Sequence, residues 1–160
     1  MIKNQKAGLI LVVIILSSAL FFVACNKDGD LSPIPQIEVM GVAIENNGFK
    51  DTAATVTIYF ADGDGDLGVF DDGTQKENNF IISCFEKKND VWNFLIDLSA
   101  PFPTITPTGS NKSIDGTIDY LMPLPPNVSN DTLRYELYII DRAGNESNKV
   151  TTNEIVVSTL

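Results

Sequence analysis

The chain contains no histidine among its 160 residues. That absence removes the Ser-His-Asp and Cys-His arrangements of nucleophilic hydrolases, together with the usual imidazole-ligated zinc sites. Cysteine is nearly as scarce. Cys25 and Cys84 are the whole complement, and with Cys25 assigned below to another purpose no disulfide framework can form. Cys84 lies in the apolar run "FIISCF" and reads as a buried core thiol. Basic residues are outnumbered, 11 Lys and Arg against 21 Asp and Glu, for a formal net charge of −10. So acidic a chain is repelled by phosphate backbones, which excludes nucleic acid as a partner and favours cations, metal ions included. A glycine-rich phosphate loop is also missing. Carboxylate pairs of the glycosidase kind are compatible with the composition. In so acidic a sequence they arise by chance on solvated faces, so the expectation is a non-catalytic protein.

What is present begins with a leader. Lys3 and Lys6 precede the uncharged run "AGLILVVIILSSALFFVA", which ends at Cys25. A positive start, an apolar centre and a small residue before the cut describe a secretory signal peptide. The run is also about long enough for a membrane-spanning helix, which needs roughly 17 to 25 residues. "FVAC" at 22–25 resembles the lipobox of bacterial lipoproteins; Phe22 stands where leucine is usual, while Ala24 and Cys25 fit. The resemblance implies a signal peptide over 1–24 and a lipid anchor on Cys25. The following "NKDGDLSPIP" resembles the Lys-Asp-rich signal that sends many lipoproteins of the Bacteroidota to the outer face of the outer membrane. By composition it is an extended tether over 25–35. That resemblance implies the outer membrane, lipid-anchored and facing the cell surface, with the periplasmic face as the alternative.

Beyond the leader there is no helical periodicity, and period-two alternation takes its place. In "ATVTIYF", Val56, Ile58 and Phe60 share one face and Thr55, Thr57 and Tyr59 the other. In "TLRYELYII", Leu133, Tyr135, Leu137 and Ile139 point inward. Strands are predicted at 36–45, 53–61, 79–87, 91–97, 113–121, 132–141 and 149–157, separated by turn chemistry such as "ENNG", "KKND" and "DRAGN". The proline-rich stretch 99–111, "SAPFPTITPTGSN", suits an edge or a crossover between sheets. Trp92 is either a core tryptophan or the cap of an edge hairpin. Short antiparallel strands with Gly, Pro and Asn turns predict an all-β fold. It is an immunoglobulin-like antiparallel β-sandwich of about seven strands over 36–160, preceded by the lipoprotein signal peptide.

"FADGDGDLG", "SIDGTIDY" and "YIIDRAGNESNKVTT" together resemble the immunoglobulin-like lipoproteins of the Bacteroidota, over most of the chain beyond the leader. The resemblance implies a sandwich fold and envelope anchoring, and little about activity. Such a fold hosts many functions, so function has to be read from the site itself.

The motif that asks for chemistry is "DGDGDLG" at 62–68. Asp62, Asp64 and Asp66 match the first, third and fifth positions of an EF-hand loop, but Leu67 stands where glycine is needed and Gly73 where the bidentate Glu belongs. A strand also precedes it, so this is no EF-hand. Asp71 and Asp72 add two more carboxylates. In an immunoglobulin-type sandwich the loop after the second strand and the last hairpin loop share a pole. Asp141 and the Asn145 side-chain carbonyl of "DRAGN" could therefore complete a shell. The cation expected of such a site is a structural Ca2+, whose large oxygen shell suits a flexible acidic loop better than Mg2+ does. The plainer reading is an acidic turn, with Asp141 bonded to its own backbone and Arg142 neutralising the cluster. Tyr59, Trp92 and Tyr138 are candidate exposed aromatics for a protein or glycan partner. The functional expectation is a lipid-anchored, non-catalytic binding or interaction module. The alternative is a glycan-binding accessory lipoprotein of a polysaccharide-uptake system, and the third choice is a carboxylate-dependent hydrolase.

Overall fold

The computed structural model describes residues 31–69, 78–105, 107, 112–125, 128 and 131–158. The leader, Cys25, Asp71 and Asp72 lie outside the described residues. Strands β1 (Gln36–Asn46), β2 (Asp51–Asp62) and β5 (Ile114–Pro123) form one antiparallel sheet in the order β1-β2-β5. Strands β3 (Phe80–Lys88), β4 (Val91–Asp97), β6 (Thr132–Ile139) and β7 (Val150–Thr151) form the other in the order β4-β3-β6-β7, and β8 (Ile155–Val156) also pairs with β6. This is the antiparallel β-sandwich that the alternation predicts.

The alternation works because β2, β3 and β6 each bury one face and leave the other wetter. Val56, Ile58 and Phe60 of β2 meet Phe80, Ile82 and Cys84 of β3 and Leu133, Tyr135, Leu137 and Ile139 of β6 in one buried cluster. Burial pushes the Cys84 thiol up to about 11, so it stays protonated and inert. The proline-rich stretch lies between β4 of one sheet and β5 of the other, and its described part, 99–105, contributes to the core. Phe102 is fully buried, edge-on to Phe60 at 6.1 Å and Phe80 at 5.6 Å between ring centroids. Its backbone N–H donates to Asn79 Oδ1 at 2.7 Å, while Asn79 Nδ2 donates to the Ile140 carbonyl. Trp92 sits on the outer face of edge strand β4 beside the turn at Asn89 and Asp90. Arg134 lies over its ring at 4.5 Å, so it caps the hairpin and is no core tryptophan.

Where seven strands were expected, eight are present among the described residues, because the last one is broken. Residues 152–154 step out of the ladder between β7 and β8. Thr152 repairs the gap: its N–H donates to the Tyr135 carbonyl, and its Oγ1 accepts the Tyr135 N–H at 3.0 Å. Ser147 does the same for Ile139. Hydroxyls here replace the carbonyls that a regular strand would offer, so neither of these buried amides is orphaned.

Candidate metal centre

The inward column of β2 runs Ala54, Val56, Ile58, Phe60 and then Asp62, which is fully buried. The inward column of β6 runs Leu133, Tyr135, Leu137, Ile139 and then Asp141, 5% exposed. Two facing strands, one from each sheet, thus end their apolar columns in a carboxylate. The pleat delivers both to the same end of the sandwich.

The loop from 62 to 68 adds the third. Asp62 Oδ2 accepts the Asp66 N–H at 2.9 Å, which curls the chain into a tight turn. Gly65 and Gly68 have φ of 65° and 83°, in the left-handed region that favours glycine. A side chain at either would collide with a backbone carbonyl, of Lys112 at Gly65 and of Pro103 at Gly68. Leu67, in the position where an EF-hand would need glycine, is instead a fully buried plug. As a result Asp62, Asp66 and Asp141 each offer a ligand atom within 4.8 Å of the others.

The electrostatics are unfavourable for the cluster alone. Burial, more than anything else, pushes the Asp62 carboxyl up to about 6, and the neighbouring Asp64 and Asp66 charges add to it. The Asp66 carboxyl is raised by burial and by Asp141 and Asp64, against the opposing pull of Arg142 and the Ala143 N–H. Asp62 Oδ1 and Asp66 Oδ1 are both buried with no hydrogen-bond partner. A buried carboxylate oxygen without a donor is costly unless a cation or a proton meets it. Convergent hard oxygens, with no sulfur or imidazole among them, suit a hard cation.

Of the residues singled out in the sequence, Asp62, Asp66 and Asp141 are brought together. Asp64 is exposed, yet close enough to raise Asp62. Asn145 serves the cluster through Asp141: its backbone N–H donates to Asp141 Oδ1 at 2.7 Å and its Nδ2 to Oδ2 at 2.8 Å. It orients a carboxylate by its amide nitrogen, where the sequence suggested a carbonyl ligand. Ser113, whose Oγ donates to the Gly63 carbonyl, and Ser32, whose carbonyl accepts the Gly63 N–H at 2.7 Å, also brace the loop. No sequence signal marks either, since both contacts depend on how distant segments cross. The parity of Asp62 and Asp141 with their strands was the one readable sign. Comparison with protein-family models, with curated proteins and with solved structures found no match.

Proposed function

We propose that this chain is a lipid-anchored envelope module, non-catalytic, whose β-sandwich is clamped at one pole by a calcium ion held between Asp62, Asp66 and Asp141. The observation that carries the reading is the fully buried Asp62, with Oδ1 unpartnered and set within a cluster of like charge. Calcium is preferred to magnesium because it accepts an irregular carboxylate shell, whereas magnesium demands a near-ideal octahedron. The ion would join the loop after β2 to the hairpin after β6, and so fasten one sheet to the other.

As a binding or interaction module the domain would present its loops and outer faces to a protein partner. The glycan reading draws less support, because aromatic stacking needs free ring faces. Trp92 carries Arg134 and Tyr138 carries Lys149, 4.7 Å from the ring centroid. Thermal unfolding of chelator-stripped protein tests the clamp. Calcium at a hundredfold excess over Kd stabilises by about 2.7 kcal/mol, a rise on the order of 10 °C, and magnesium at equal concentration gives less. Identical curves with and without calcium would remove the clamp. Mass spectrometry of membrane-extracted protein tests the anchor, which fails if Met1 is intact or Cys25 carries no lipid.

A further inference from the structure

Four consecutive carbonyls of the acidic loop converge on one residue of the facing hairpin. The Arg142 N–H donates to the Asp66 carbonyl at 3.3 Å. Its guanidinium Nη1 donates to the Leu67 carbonyl at 3.1 Å and the Gly68 carbonyl at 3.5 Å, and its Nη2 to the Gly65 carbonyl at 3.5 Å. A planar fork of N–H donors can span such a set, and a lysine ammonium cannot match that geometry. Arg142 directly follows Asp141, so the residue that supplies one carboxylate is chained to the residue that gathers the loop supplying the other two.

We propose that Arg142 is the positioning residue of the cation site: it preforms the 65–68 loop so that Asp66 faces Asp62 and Asp141 before any ion arrives. This rests on the calcium reading above. Two consequences follow. Each carbonyl of 65–68 gives one lone pair to Arg142, so the loop presents its carboxylate to the ion in a fixed position. Binding also carries little loop-ordering cost, because the loop is already fixed.

The sign of the effect separates positioning from charge. Arg142 is a cation beside a cation site, and as a mere electrostatic neighbour it opposes the ion, so neutralising it would tighten binding. As a positioning residue its loss weakens binding. Calcium affinity is measured calorimetrically on the chelator-stripped full chain in detergent, for the wild type, Arg142→Gln, Arg142→Lys and the control Arg134→Gln. Circular dichroism confirms that each is folded. The expected result is a Kd raised at least tenfold in both Arg142 variants, with Lys failing to rescue, and unchanged in the control. An unchanged or lower Kd in either Arg142 variant overturns the assignment. No binding by the wild type refutes the calcium reading itself, a distinct result.

Should the variants not fold, hydrogen exchange of the wild-type Asp66 and Arg142 amides decides. Both are expected to be protected without calcium, changing less than tenfold when it is added. Protection that appears only with calcium overturns the proposal.

Discussion

At the residue scale the molecule turns on Asp62. A chain that alternates Val56, Ile58 and Phe60 toward the core would ordinarily end that column in another apolar side chain, and here it ends in an acid. The raised carboxyl fixes a pH dependence. Asp62 binds its proton more tightly folded than unfolded, with a folded value of about 6 against 3.8. Its contribution to stability is therefore fully present below about pH 4 and is lost as pH rises through 6. For cation-free protein the loss is about 3 kcal/mol, since each tenfold gain in proton affinity corresponds to roughly 1.4 kcal/mol. It is readable as urea midpoints that fall between about pH 4 and 7. Asp66 adds in the same direction. With calcium the trend reverses, because the ion competes with the proton, and affinity weakens as pH drops below about 6. Asp62→Asn keeps an acceptor for the Asp66 N–H while removing a buried charge. Without calcium at neutral pH it is expected to stabilise the protein by about 1 to 3 kcal/mol, and to abolish the calcium response. Destabilisation in the cation-free state would contradict the account.

At the element scale, strands with regular alternation were legible and the irregular pieces were not. β2 and β6 obey period two along most of their length, so their inward faces could be read directly. The last strand could not. Its break at 152–154 depends on the Thr152 hydroxyl standing in for a carbonyl, as the Ser147 hydroxyl does just before β7, a substitution invisible in hydropathy. The crossover was recognised as irregular from its prolines, yet nothing in composition marks Phe102 as a core residue. Phe102→Ala is expected to cost about 3 to 5 kcal/mol in chemical denaturation, although it lies outside any strand. A loss under about 1 kcal/mol would mean that the crossover is peripheral. Asn148 makes a different kind of tie. Its Oδ1 accepts the Ile37 N–H at 2.8 Å and its Nδ2 donates to the Ile37 carbonyl at 2.9 Å, fastening the start of β1 to the segment after the Asp141 hairpin. Asn148→Ala is expected to cost about 1 to 3 kcal/mol and to speed exchange of the Ile37 amide, leaving calcium affinity intact.

At the scale of the whole molecule, negative charge and fold meet at one pole. The sequence shows that acids are in excess and that "DGDGDLG" and "DRAGN" belong to loops. Only the sandwich topology brings the two together, and beyond the readable parity of Asp62 and Asp141 it is packing that admits Asp66 and leaves Asp64 out. Asp62 and Asp141 enter because they share the inward parity of their strands, Asp66 because the loop curls back, and Asp64 stays exposed. A structural cation would tie the two sheets across their shared end, where ladder hydrogen bonds cannot reach. The most direct test is calorimetric titration of calcium into chelator-stripped protein at neutral pH, with Asp62→Asn beside the wild type. One saturable site in the wild type, lost in the variant, is the result the account predicts. Absence of heat in the wild type, or undiminished binding by Asp62→Asn, would contradict it, and the pole would then be an acidic turn that its protons hold together.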